Sequence, residues 1–420
     1  MPDQGKKSPG TAAPKPSRVA SISDGWRDRL IGGAEDPKPG IANALTALQH
    51  APEWTGVLAF DAFSGDTMAM KQPPWQPNPR LRAPYVWRDE DDIATAAWMQ
   101  HQGIWIGREI SGQAVQCVAR EQWFHPVRDY LNSLKWDSEE RIEHFVPYYL
   151  GAGVTDYNRC VGAKWLIAAV ARIFMPGCQS DSALILEGDQ GILKSSALRV
   201  LGGEWSTDDM PQLGTKDAIV QLRGSWIIDL SELSALKGVE PGKLKAFLSR
   251  RRDRYRPHYQ KHVVDVPREC VFAGTVNLET YLGDETGNRR FWPVACGNID
   301  IEGLKRDRDQ LWAEAVVRFR AGATWWLDDK QLVAQATREA RERYVGDPWD
   351  EKISGFLAGR DDVSVPEVLG LCLGKKKEDW TQQDQNRVAR SLRALGWKRF
   401  RQRNGDGLEW RYRVPGSQSE

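Results

Sequence analysis

The spacing of apolar positions changes along the chain, and each change predicts an element. Ser182 to Leu201 reads SALILEGDQGILKSSALRVL: a short apolar run ends in Gly188, a turn bearing Gly191 follows, and Lys194-Ser195 opens an apolar-periodic helix that stops at Gly202-Gly203. That order is strand, loop, helix start. Three more buried strands are predicted after it: GSWIIDL (Gly224 to Leu230), the apolar run Cys270 to Val276, and RRFWPV (Arg289 to Val294). Helices are predicted ahead of it. Pro126 sits in the first turn of VRDYLNSLKW, Asp137 with Glu140 makes a capping box for RIEHFVPYYL, and a third helix runs from about Tyr157 to Met175, where Pro176-Gly177 stops it. Residues 23 to about 120 are Trp-rich and mixed, with a strand pair over Gly56 to Phe63 and Thr67 to Met70 and a helix over Asp91 to Gln100.

Residues 298 to 345 read as helices, RDRDQLWAEAVVRFR being amphipathic at a 3.6-residue period, and Trp325-Trp326 reads as core or interface packing, the alternative being a base-stacking platform. GDPWD then breaks the pattern. Beyond it EKISGFL, VPEVLGLCL and Gln382 to Leu395 predict three helices, and RFRQRNGDGLEWRYRV predicts two alternating strands around Asn404 to Gly407. Three helices and a basic hairpin follow the winged-helix plan, in which the third helix enters the major groove and the hairpin lies on the backbone; winged helices also serve as protein-contact modules.

Composition narrows the class without naming a function. At 420 residues, 41% hydrophobic and 27% charged, the chain has the makings of several globular domains. The longest apolar segment, Trp165 to Met175, contains Arg172 and is too short to span a bilayer, so no membrane partner is expected. The first 22 residues lack an apolar core and are expected to be a disordered tail rather than a signal. Six scattered cysteines without a C-x-x-C pair argue against a disulfide framework or zinc site and for a reducing cytoplasm. A net charge of +1 hides two local concentrations: nine Lys/Arg against two acids in Gly242 to Arg268, and seven against two in Arg393 to Arg413. Both are candidate nucleic-acid surfaces, the alternative being solvated charge.

The candidate chemistry begins at the loop. A phosphate at this helix start meets unpaired backbone N–H groups and the positive end of the helix dipole, with Lys194 as a point charge and the Ser195 hydroxyl free for magnesium. Gly188, Asp189, Gln190, Gly191 and Ser196 complete the candidate loop. The spacing is G-x-x-x-x-G-K-[ST] except that Leu193 fills the glycine slot, and by itself it reads equally as a glycine turn. Asp229, which ends an apolar run, is a candidate magnesium ligand, and Glu232 a candidate activator of the attacking water; the alternative is that the two end a strand and cap a helix. Asn277 follows the next strand, where an amide can touch a γ-phosphate or the water. Arg289 and Arg290 open the last strand and either stabilise charge on a transferring phosphate at an oligomer interface or form a surface pair.

GDQGILKSSALRVLGG, WIIDLSEL, KAFLSRRRDRYRPHY, PRECVFAGTVN and DETGNRRFWPV, in this order, resemble the virulence-associated protein E family of phage and genomic-island proteins, which belongs with the superfamily 3 helicases. The resemblance covers roughly Gln122 to Arg320. It implies an α/β fold with an AAA+ type P-loop ATPase core at 156–297; the residue patterns put a mixed then helical region (23–155) before it and a helical segment (298–345) and a winged-helix-like domain (346–415) after it. It further implies ATP and Mg2+ as cofactors, Walker A at Gly188, Gly191, Lys194 and Ser195, Walker B at Asp229 and Glu232, a sensor at Asn277, and an arginine finger at Arg290 with Arg289. The partners implied are DNA, other copies of the chain in a ring with a hexamer favoured, and a separate primase, in a bacterial host cytoplasm. In such rings a hairpin before the sensor strand enters the channel. Here Tyr255 to Tyr259 and Val263 to Val266 are the expected arms, Lys261 and His262 the basic tip, and Arg254 and Arg256 flank it. In the C-terminal domain the DNA candidates are Arg387 and Arg390 on the third helix and Arg401 and Arg403 on the hairpin. The function implied is a DNA helicase or replication-initiator ATPase, the alternative being a nucleotide-gated, oligomeric DNA-binding switch that does not unwind.

Overall fold

Tryptophans organise the first of two compact units, which ends at Pro126. The computed structural model describes residues 24–75, 82–209, 216–231, 241–256, 262–277, 290–343, 347–404 and 407–414. The first unit contains α1 (Ile41–His50), β1 (Leu58–Asp61), β2 (Thr67–Ala69), β3 (Tyr85–Val86), α2 (Asp89–His101), α3 (Arg108–Ala119) and β4 (Trp123–Phe124), with strand order β3-β2-β1-β4. Trp54 lies 5.4 Å from Trp75 and 5.5 Å from Trp98, so a few large rings fill a core that short strands alone would leave thin. Asp91 starts α2 by accepting from Arg88 N at 2.8 Å.

The second unit begins at Val127 and continues to the C-terminus. It contains α4 (Pro126–Ser133), α5 (Asp156–Phe174), β5 (Ala183–Glu187), α6 (Lys194–Gly202), β6 (Ser206–Thr207), α7 (Lys216–Gln221), β7 (Ile227–Ser231), α8 (Pro241–Leu248), β8 (Arg252–Tyr255), β9 (Val264–Pro267), β10 (Val271–Val276), β11 (Phe291–Ala295), α9 (Ile301–Arg320) and α10 (Lys330–Glu342). Five strands form one parallel sheet in the order β11-β5-β10-β7-β6. Helices bury it, which is why its strands are apolar runs rather than alternating ones. Trp165 of α5 donates to Phe272 O at 2.8 Å, Trp226 donates to Ala169 O at 2.9 Å, and Trp312 of α9 donates to Leu201 O at 3.1 Å. The buried indoles thus spend their N–H groups fastening helix to sheet and α9 to α6.

The segment RIEHFVPYYL departs from the expected capped helix. Asp137 accepts from Arg141 and Glu139 N, Glu140 pairs with Arg318, and a 3-10 turn over Ile142–His144 leads into a single π turn over Phe145–Tyr149. The cap comes from a distance. Buried Glu314 of α9 accepts from Arg141 N and, at 3.0 Å, from Ile142 N. A tertiary carboxylate therefore replaces the local box.

After α10 come α11 (Asp350–Leu357), β12 (Asp362–Ser364), α12 (Val365–Glu367), α13 (Gln382–Ala394), β13 (Lys398–Asn404) and β14 (Gly407–Arg413). The strands form an antiparallel sheet, β12-β14-β13, over a core that includes Ile353, Val388, Leu392, Trp397 and Tyr412. Capping boxes at Ser364/Glu367 and Thr381/Asp384 start α12 and α13. Among the described residues no helix is long and apolar enough to cross a membrane.

Candidate functional site

The loop between β5 and α6 folds around its own lysine. Lys194 Nζ donates to Gly188 O at 2.8 Å, Asp189 O at 2.7 Å and Asn277 Oδ1 at 3.0 Å, and burial lowers its pKa from the ordinary lysine value. At 6% exposure it is a buried cation satisfied by protein oxygens, with which any phosphate taking the ammonium must exchange. Gly188 has φ 140°, and a Cβ there would stand 2.7 Å from Ile192 Cδ1 and 3.1 Å from Cys296 O, so only glycine fits without displacing a neighbour. Burial pushes the Cys296 thiol up to about 12, which keeps it protonated at neutral pH.

Leu193 explains how the motif survives its departure. Its φ of 72° and ψ of 24° are left-handed, the conformation the missing glycine would supply, and its side chain is 49% exposed. An L-residue pays about 1 kcal/mol for that backbone. Leu193→Gly is therefore expected to hold or raise thermal stability by up to about 1 kcal/mol, partly offset by the entropy of the unfolded glycine, while the β-branched Leu193→Val lowers it. Paired melting curves check this; a clear loss in Leu193→Gly would contradict the strained-loop account.

Neighbouring strands bring other polar groups to the same edge. Ser195 Oγ lies 3.3 Å from Thr275 Oγ1 on β10, and Asn277, just past β10, touches Lys194. Asp229 on β7 is 4% exposed and aligned with Ala273, while Ser231 is aligned with Thr275. It therefore lies on the face shared by Thr275 but one pleat repeat, about 7 Å, further from the carboxyl edge. Glu232 lies outside the described residues. Sequence reasoning missed two participants. Thr275 sits inside an apolar strand, and Glu187, the last residue of β5, receives a bidentate pair from Arg343 at 2.8 and 2.9 Å, a contact across 156 positions that no local spacing announces.

Arg290 is at the other end of the sheet. In parallel register Phe291 is level with Ala183 and Ala295 with Glu187, so Arg290 precedes β11 at the amino edge. Five residues of strand, about 17 Å, separate it from the loop of its own chain. Its Nε donates to Ser249 Oγ at 2.8 Å and lies 3.3 Å from Asp181 Oδ2. Arg289 lies outside the described residues.

The expected basic hairpin forms with a shifted first arm: β8 pairs antiparallel with β9, Arg252 opposite Pro267 and Tyr255 opposite Val264. Alternation turns Asp253 and Tyr255 inward and Arg252 and Arg254 outward, because Asp253 is buried against Arg268 at 2.6 Å. Arg252 is matched by Asp265 at 2.9 Å, whereas Arg254, Arg256 and His262 are exposed. Lys261 lies outside the described residues. In the C-terminal module Arg387 is spent internally: it makes a bidentate pair with Asp347 at 2.7 and 2.8 Å and stacks 3.8 Å over Trp349. Arg390 is half-buried on the same helix, Arg401 lies 4.5 Å over the Trp410 ring, and Arg403 is exposed.

Arg387→Ala is accordingly expected to destabilise the C-terminal module by about 1–2 kcal/mol, through loss of the pair and the stacked cation. Burial works to raise the Asp347 pKa, but its hydrogen bonds from Arg387 and Trp349 N outweigh that and lower it. A depressed carboxylate pKa contributes stability above its unfolded value that is lost as pH falls through its folded one. The difference between parent and Arg387→Ala melts should therefore shrink below about pH 4. A constant difference down to pH 2 would count against the pair.

Taken together, these features define an α/β protein whose parallel sheet runs from an inner strand through a glycine-bearing loop into a helix, with polar groups from adjacent strands at the same edge. The family model described as the virulence-associated protein E-like domain matches residues 131–345, just over half of the 420, and the chain belongs to that family. The chain is similar to the solved structure described as the apo structure of NrS-1 C terminal region (305-718), with TM-score 0.43 and 11% identity over 85% of this chain and 95% of that one. It is also similar to the A form apo structure of NrS-1 C terminal region-CTR, with TM-score 0.41 and 13% identity over 85% and 96%. Comparison with curated proteins finds no match.

Proposed function

We propose that this chain is an Mg-ATP-hydrolysing enzyme of a phage or other mobile element that moves on or remodels DNA, in the manner of a superfamily 3 helicase or replication initiator. On this reading 156–297 is an AAA+ type P-loop core, 346–415 is a winged-helix module, and copies assemble into a ring, six being the favoured number. The observation that carries the reading is the convergence of Lys194, Ser195 and Asn277 at one sheet edge, with Asp229 on the adjoining strand of the same face. Backbone N–H groups at the α6 start favour phosphate, Lys194 offers the charge, and Asn277 is in contact with Lys194 and so positioned to orient a water or γ-oxygen. A magnesium ion, for which Ser195 and Asp229 are the proposed ligands, would supply charge neutralisation to the phosphates. Glu232 is assigned the activation of the attacking water. The working place is a bacterial host cytoplasm, with a separate primase as partner.

The DNA part of the proposal rests on the outward arginines of β8 and of the C-terminal hairpin; Lys261 and His262 are assigned phosphate contacts by the family resemblance. Arg254→Ala/Arg256→Ala is expected to weaken single-stranded DNA binding and to flatten the log–log salt slope by about 1.4, two phosphate contacts at about 0.7 each. An unchanged slope would remove both residues from the interface. ATPase and strand-displacement assays on a forked duplex, with and without single-stranded DNA, test the whole reading. DNA-stimulated turnover with unwinding supports it; nucleotide-dependent DNA binding and assembly without unwinding would replace it with a switch.

A further inference from the structure

At the sheet edge opposite the glycine loop, a cavity of about 450 Å³ lies beside the amino ends of β5 and β11, between them and the segment joining α9 to α10. That volume and a mostly apolar wall with a few convergent polar groups are the marks of a small-molecule site. Three of its walls are indoles. Trp325 is fixed, its Nε1 donating to Gln179 O at 2.8 Å, and Trp326 stands nearly perpendicular to it, ring centroids 5.2 Å apart at 82°. Trp326 is 50% exposed at the rim, so it is not a core residue and presents an open ring surface. Trp292 is only 2% exposed, and its buried Nε1–H has no acceptor among the described residues. Asp181 and Arg290, paired with each other, add an acceptor and a donor to the same lining.

We propose that this cavity is a nucleobase site, distinct from the glycine loop, that takes a purine ring. Flat apolar faces suit stacking on Trp326, and a purine edge carries both an acceptor for the Arg290 donor and a donor for Asp181. The base has two available sources, a free nucleoside or nucleotide and a base of single-stranded DNA. The inference does not rest on the reading of the loop as an ATPase site.

The test uses the full chain carrying Lys194→Ala, so that the loop lysine plays no part, with adenosine, which has no phosphate, as the probe. Ligand-observed NMR and calorimetry are expected to show adenosine binding, weakened about tenfold by Trp326→Ala, as loss of one base–aromatic stack predicts, and largely restored in Trp326→Phe. Val333→Trp, which fills the cavity from α10, should abolish it. Competition by an oligo(dA) strand but not by an abasic strand of equal length assigns the base to DNA, and absence of competition assigns it to a free nucleoside; either supports the site. The proposal is overturned if adenosine does not bind, if binding ignores both Trp326→Ala and Val333→Trp, or if Trp326→Ala changes only the oligomeric mass, which would make this face an interface between copies.

Discussion

Lys194→Ala is expected to reduce ATP hydrolysis by at least about a hundredfold, the loss seen when one preorganised donor is taken from a transition state. The reason is positional as much as electrostatic. The ammonium is held between the carbonyls of Gly188 and Asp189 and the Asn277 side chain, so one residue ties the loop to the strand beside it. The sequence alone suggests an exposed loop charge whose removal leaves the fold untouched. The buried position alters that expectation: truncation leaves two loop carbonyls and an amide oxygen short of a donor, for a loss of about 1–2 kcal/mol of stability. A melting curve taken beside the turnover measurement separates the effects. A folded variant with normal turnover would remove the loop from catalysis. A variant that fails to fold at the assay temperature would show the lysine to be mainly structural, and Lys194→Arg, which keeps a cation there, would then be the informative comparison.

What could be read beforehand followed from the range of the forces involved. Strands β5, β7, β10 and β11 were legible because a parallel sheet buried on both faces demands unbroken apolar runs, and α5 because its apolar run is stopped by Pro176-Gly177; the Thr155 cap, which accepts from Asn158 N at 3.1 Å, emerges only in the structure. The loop was legible because glycines and a Lys-Ser pair at a helix start form a local pattern. Contacts made across the chain were not. Glu314 capping the 142–149 turns, Arg343 on Glu187, and Thr275 facing Ser195 each join residues at least 80 positions apart, and nothing in a window of ten residues distinguishes these side chains from surface charge or core polarity. Charge counting had a different failing. It treats every arginine alike, whereas Arg268 is buried on Asp253, Arg387 is held by Asp347, and Arg411 is held by Asp362 and Glu367. Arg254, Arg256 and Arg403, by contrast, are exposed.

Arg290→Ala is expected to keep nucleotide binding while hydrolysis falls by about a thousandfold or more, the scale of an arginine finger. The register makes the prediction specific about which subunit is served. Arg290 stands at the amino edge of β11 and the loop follows the carboxyl end of β5, about 17 Å apart along the sheet, so the guanidinium can serve only the loop of another copy. Its present partners, Ser249 and Asp181, are both uncharged or negative groups within the same chain, and reaching a neighbour's phosphates would mean exchanging them. Neither Lys194→Ala nor Arg290→Ala should turn over alone. Mixed in equal amounts in one ring, they leave about a quarter of the contacts between subunits with Lys194 on one side and Arg290 on the other, so up to about a quarter of parental turnover should return. Rescue in proportion to mixing would establish a site shared between copies. If native mass spectrometry shows that the two variants co-assemble and the mixture remains inactive, Arg290 does not act across the interface, and its pair with Asp181 serves the amino edge of its own chain.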